Sequence, residues 1–102
     1  MAALKAAFLF VADGADPAKH RNWVKTPEVE ILCLAINDYS AIESIVEELI
    51  TKEQCQAIEL CGGFGHQAVG RVSKAAAGRV QVGVVRFDCH PGFGFKSGDA
   101  MY

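Results

Sequence analysis

Two kinds of apolar pattern alternate along this chain, unbroken runs and runs that repeat every three to four positions. The first run, Ala6-Ala7-Phe8-Leu9-Phe10-Val11-Ala12, has no polar interruption, as expected of a strand covered on both faces in a parallel sheet. Asp13-Gly14 breaks it. Asp16-Pro17 then reads as an N-cap followed by proline at the first helical position, and predicts a short helix to about Lys25 with Trp23 and Val24 facing the core. Thr26-Pro27 ends that helix, because the residue before a proline is pushed out of the α region.

Val29 to Ile36 is the second strand, stopped by Asn37-Asp38. Ser40 and Glu43 stand in capping-box spacing, and Ile42, Ile45, Val46, Leu49 and Ile50 recur at i, i+3, i+4, i+7 and i+8, which predicts an amphipathic helix. Ala57-Ile58-Glu59-Leu60-Cys61 is a third strand running into the glycine-rich turn Gly62-Gly63-Phe64-Gly65. A third helix follows, with Val69, Val72, Ala75 and Ala76 on one face and Gly78 as its cap. Val80 to Phe87 is the fourth strand.

The order β-α-β-α-β-α-β with short connections predicts a single three-layer α/β domain around a four-stranded, mainly parallel sheet. The flavodoxin-like strand order 2-1-3-4 is favoured over a half β/α-barrel, because it puts the unbroken first strand in the middle. The barrel half would leave one sheet face exposed and in need of a partner. Residues 1–90 form the α/β domain; 91–102 are a glycine- and aromatic-rich tail of the same domain, expected as an ordered loop or a contact with a neighbouring subunit through Phe93 and Phe95.

Length and composition narrow the function classes. A chain of 102 residues buries a core without staples but is too short for two domains. A formal net charge of −2 leaves no basic surplus for gripping nucleic acid, and no apolar run is long enough to span a bilayer. The start of the sequence has none of the features of a secretory leader. A cytoplasmic protein is expected, and with it reduced thiols at Cys33, Cys55, Cys61 and Cys89.

Chemistry is expected at the carboxyl ends of the strands, where open α/β sheets bind ligands. The backbone of Gly62, Gly63, Phe64 and Gly65 opens a helix, and free N–H groups at the positive end of a helix dipole suit a phosphate or carboxylate. The same glycines serve equally as a tight structural turn. Gly63, Gly65 and Ala68, with Asp88 following, also match a dinucleotide fingerprint, which is set aside because only one strand follows the motif. Cys61 sits just before the helix start with His66 or His90 as a possible base, the arrangement of an activated nucleophile; a packed cysteine is the alternative. Asp88 and His90 form a second acid/base pair. Glu59 and Arg86, charges inside neighbouring predicted strands, are expected to pair with each other, or to serve a ligand with Arg86 on its anionic group and Glu59 as orienter. Spacing argues against a metal at Cys61, His66, Cys89 and His90. No cofactor is expected.

Three blocks carry a family resemblance: Lys5-Ala6-Ala7-Phe8 with Gly14-Ala15-Asp16-Pro17, then Ala57 to Gly65, then Gly83-Val84-Val85-Arg86-Phe87-Asp88 through His90-Pro91-Gly92. On them the chain resembles a small uncharacterised prokaryotic family of α/β proteins of about its own length, a domain of unknown function. The resemblance implies the compact fold and draws attention to the glycine turn and to Arg86–Gly92, and it carries no activity. The functional expectation is a small anionic molecule bound at the carboxyl edge, by a binding protein or a small enzyme. The alternative is a noncatalytic homo-oligomeric structural or regulatory module. Expected partners are therefore that small molecule and further copies of the chain, with no nucleic acid and no membrane.

Overall fold

The computed structural model describes residues 2–102. Strand β1 (Leu4–Val11) runs parallel to β3 (Val29–Ile36) on one side and to β4 (Ala57–Leu60) on the other, so the unbroken apolar run lies in the middle of the sheet. Strand β5 (Gln81–Val84) is parallel to β4, and β2 (Arg21–Lys25) is antiparallel to β3. The sheet order is β2-β3-β1-β4-β5. The helices are α1 (Ile42–Thr51), between β3 and β4, and α2 (His66–Ala76), between β4 and β5. None of the described helices is long and apolar enough to cross a membrane.

The α/β class holds, and the four expected strands lie parallel in the order 2-1-3-4, here β3-β1-β4-β5, but the four-stranded, three-layer layout does not hold: the sheet has five strands and one antiparallel pair. The difference arises at residues 16–25. Asp16 does start a turn, its carboxylate accepting from Ala18 N–H at 2.9 Å and its carbonyl from Lys19 and His20. The turn stops after one cycle. Arg21 to Lys25 alternates, with Trp23 packed against the core and Asn22 and Val24 exposed, which is strand periodicity. Thr26-Pro27 is the bend of a β2–β3 hairpin, closed by Thr26 N–H to Val29 O at 2.9 Å.

With that helix absent, the two remaining helices pack against each other and against one sheet face. Ala7, Leu9 and Val11 of β1, Leu32, Leu34 and Ile36 of β3, and Ile58 and Leu60 of β4 meet Ile42, Ile45, Val46 and Leu49 of α1 and Ala68, Val72 and Ala76 of α2 in one buried cluster. Each buried Val, Leu or Ile among them contributes about 1.5–3 kcal/mol. The fold is a two-layer sandwich, and the residues alternating with these on the strands face away from both helices.

Two local expectations also change. The cap before α1 is Asp38, which accepts from Ser40 N–H at 2.8 Å, and not a Ser40–Glu43 box. Glu43 instead takes Arg71 of α2 at 2.7 Å, and Glu47 takes Arg79 at 2.8 Å; such exposed pairs contribute little. Strand β5 ends at Val84 rather than Phe87, because β4 ends at Leu60 and turns away, leaving no ladder partner past the bond from Val85 N–H to Leu60 O. The released chain crosses towards the start of α2.

Candidate functional site

The carboxyl edge divides into a closed part and an open part. Strand β4 delivers the glycine turn directly to α2, and the C-terminal tail folds back over it through two single-turn 3-10 segments, Pro91–Phe93 and Gly98–Ala100. Gly98 lies so near the Gly63 carbonyl that any side chain there would collide with it, and a side chain at Gly65 would strike the Asp99 carboxylate. These close approaches account for both glycines.

Asp99 fills the start of α2. Its carboxylate accepts from Gln67 N–H at 2.9 Å and Ala68 N–H at 3.3 Å, the place where a bound anion complements the helix dipole. Tyr39 closes the rest: its buried hydroxyl donates to Gly63 O at 2.9 Å and accepts from Gly65 N–H at 3.1 Å. Burial, and next the nearby Asp99 carboxylate, push this phenol up to about 12. Gly63 N–H is taken by Cys61 Sγ at 3.2 Å and Phe64 N–H by Cys61 O at 3.1 Å. The N–H groups of Gly63, Phe64 and Gly65 are thus taken by the chain's own atoms. The anion at the start of α2 is Asp99.

Aromatic rings seal the same region. Tyr39 stacks on Phe64 with centroids 5.8 Å apart and lies 6.0 Å from Tyr102. Tyr102 meets Phe93 edge-on at 5.5 Å, and Phe93 stacks on His90 at 4.2 Å. Burial raises the Tyr102 phenol above its usual value. Phe93, expected on a neighbouring subunit, is therefore packed within its own chain, while Phe95 is 71% exposed.

The open part is a cleft of about 210 Å³ between the start of α2 and the segment after β5. Phe64, Val69, Val84 and Phe87 give it apolar walls, and His66, Arg86 and Asp88 stand at its mouth. Arg86 Nε donates to Asp88 Oδ1 at 3.0 Å. Arg86 Nη2 lies 3.2 Å from His66 Nε2, and the same His66 nitrogen lies 3.2 Å from Asp88 Oδ1. Two contacts compete for one ring nitrogen: it accepts from the guanidinium in one tautomer and donates to the carboxylate in the other. The Arg86 guanidinium hydrogen-bonded to Asp88 holds that carboxyl below the ordinary carboxylate range. All three side chains are 60–66% exposed, so the cluster meets solvent and any solute in the cleft.

Of the expected site residues, Phe64, Gly65, His66, Arg86 and Asp88 come together at this cleft. Gly62 and Gly63 lie beneath the tail, Gly62 against the Phe87 ring. Cys61 forms no pair with a histidine: its thiol accepts from Gly63, and His90 Nδ1 accepts from Gly92 N–H at 3.0 Å between the rings of Phe87 and Phe93. The Asp88–His90 pair is likewise not formed, since Asp88 turns to Arg86 and His66. Glu59 and Arg86 do not pair either. Glu59 is exposed in the row of Phe8 and Gly83 on the sheet face turned away from the helices, while Arg86 has left the sheet. Among the described residues no group of three or more His, Cys, Asp or Glu side chains converges as a metal site.

The sequence-level candidates omit Tyr39, Asp99 and Tyr102, the residues that close the glycine turn. The hydrogen-bond partners of Tyr39 and Asp99 lie 24 to 32 residues away in the chain, beyond any local pattern. One signal pointed there, an unfilled helix start with an acidic residue in a tail of no regular period.

The profile of a family of unknown function, DUF6506, matches residues 4–100. No curated protein and no solved structure matches the chain.

Proposed function

The chain belongs to DUF6506, a family of unknown function, and we propose that it binds a small anionic molecule in the cleft between α2 and the segment after β5. The observation that carries this reading is the Arg86–His66–Asp88 cluster at the mouth of an apolar-walled cavity. A guanidinium offers a planar fork of donors suited to a carboxylate or phosphate. Arg86 spends one donor on Asp88 and keeps others for a ligand. Asp88 fixes the guanidinium, and His66 adds a ring nitrogen that can donate or accept a hydrogen bond. The cavity volume fits a small metabolite, and its walls favour one with an apolar portion beside the charged group.

In this reading the anion contact moves from the glycine backbone to Arg86. Cys61, His90 and Glu59 play no part in it. His66 and Asp88 supply the means of moving a proton, so the site serves binding alone or a proton transfer to the bound molecule.

A thermal-shift screen against phosphorylated metabolites, nucleotides and carboxylic acids tests the reading. A ligand present at 100 times its dissociation constant stabilises by about 2.7 kcal/mol, an easily measured rise. The expected result is stabilisation by at least one anionic class that disappears in Arg86→Ala, whose fold is unchanged because Arg86 is two-thirds exposed. Stabilisation that survives the substitution, or none with any compound, contradicts it.

A further inference from the structure

The sheet face turned away from both helices is apolar. Leu4 (44% exposed), Phe8, Phe10, Ile31, Cys33 and Val24 (63% exposed) stand on it, and Glu59 is the one charged side chain that the strands place there. No helix covers it: the connection from β1 to β2 reaches only its margin, where residues 12–15 and His20 border Phe10 and the buried Ala35, and the tail lies over the carboxyl edge. From the pairing register we infer that this face is the contact surface of a two-fold homodimer, two sheets packed face to face. The inference is independent of the ligand site, which lies on the helix side.

The argument for a second copy as occupant is the self-complementarity of the face. Strand register sets its residues in rows across the sheet: Val24, Ile31, Ala6 and Ala57 in one, Asn22, Cys33, Phe8 and Glu59 in the next, Ala35 and Phe10 in a third. A two-fold axis along the strands, passing between β1 and β3, exchanges β1 with β3 and β4 with β2. Phe8 of one copy then falls over Cys33 of the other, and Phe10 over Ala35. Ile31 falls over Ala6, and Val24 over Ala57. In these four contacts a bulky side chain meets a small one, and in the outermost row Leu4 falls over Val29. Beside Phe10 and Ala35 the face carries a hollow of about 260 Å³, the place this operation gives to the incoming Phe10 ring.

Charge points the same way. The operation sets Glu59 over Asn22, whose amide can donate to it, whereas an axis across the strands through the central Phe8 row would stack the two Glu59 carboxylates in like-charge contact. The four strands that this operation superposes, β2, β3, β1 and β4, hold 25 residues; at about 4.8 Å by 3.3 Å per residue they present about 400 Å², so the two copies bury about 800 Å² between these strands, the size of a weak, concentration-dependent association. Aligned sheets pack about 10 Å apart with strands within about 30°, which keeps the row contacts closest at the centre, around Phe8 and Cys33. The result is an isologous interface, closed by symmetry.

Sedimentation of the full chain from low to high micromolar concentration tests this, with Phe10→Glu, Val24→Glu and, on the tail, Phe95→Glu. The expected result is a dimer that Phe10→Glu and Val24→Glu each weaken by at least 100-fold and Phe95→Glu leaves intact. Circular dichroism reports whether each variant folds, and Val24, on an exposed edge strand, decides if Phe10→Glu does not. A monomer at all concentrations, which assigns the face to a different protein, overturns the inference. So does a dimer that only Phe95→Glu dissociates, or one that none of the three affects.

Discussion

The two faces of the sheet are built from the same strands and alternate residue by residue, yet only one belongs to this chain's own core. On the helix side, Leu9, Leu34 and Leu60 are fully buried; on the other, Phe8, Phe10 and Cys33 are only partly buried. Composition does not separate them, since both are apolar. What separates them is the connection: both crossovers after β3 carry a helix, and the one from β1 to β3 carries a short hairpin strand instead. The lesson is that apolar character on a strand records that something covers it, without saying whether the cover is intramolecular.

Substitution in matched pairs should break this symmetry most visibly. Leu34→Ala, on the covered face, is expected to lower unfolding stability by about 2–5 kcal/mol through lost burial and an unfilled cavity. Ile31→Ala on the open face of the same strand should change the stability of dilute protein by less than half as much, because its side chain has no helix to lose. Urea unfolding at low protein concentration measures both, and equal losses would show that the open face is packed in the single chain.

The carboxyl edge offers a smaller contrast, between a part closed by the chain's own groups and a part left open. Tyr39→Phe removes the hydroxyl that joins Gly63 O to Gly65 N–H, and leaving those buried groups unpaired costs about 1–3 kcal/mol. Asp99→Ala uncaps α2 and should cost about 0.5–2 kcal/mol, with the tail becoming more accessible to protease. Neither loss should appear in Arg86→Ala. The closed part is also sensitive to alkali. Because folding raises the Tyr39 phenol to about 12 from its ordinary 10, the folded state holds its proton more tightly than the unfolded one. That stability is complete below pH 10 and is lost as the pH climbs through 12. Unfolding midpoints across that window should fall, and fall less in Tyr39→Phe.

Several of these features were legible in the residues. The unbroken run Ala6 to Ala12 placed β1 centrally, the recurrence of Ile42, Ile45, Val46 and Leu49 marked α1, and Cys61 to Gly65 marked the strand-to-helix turn. Residues 16–25 misled because Asp16-Pro17 is sound helix-start chemistry, followed by a strand too short for its alternation to outweigh it. The unbroken runs suggested helices on both faces, when a partner leaves the same trace. At the edge, His66 and Asp88 stood out from their places after strand ends, and Arg86 as a charge near the end of the fourth strand. Their mutual contact depends on β5 stopping at Val84, which only the length of β4 determines. Asp99 and Tyr39 were hidden because their partners are distant in the chain.

Thiol alkylation at Cys33, which lies at the centre of the open face, with exposed Cys89 as internal reference, tests most directly that this face is covered by a second copy. Cys33 in the native chain should react slowly relative to Cys89 at high protein concentration, and faster on dilution or in Val24→Glu. A Cys33 rate that is the same at every concentration and in the variant would contradict the account.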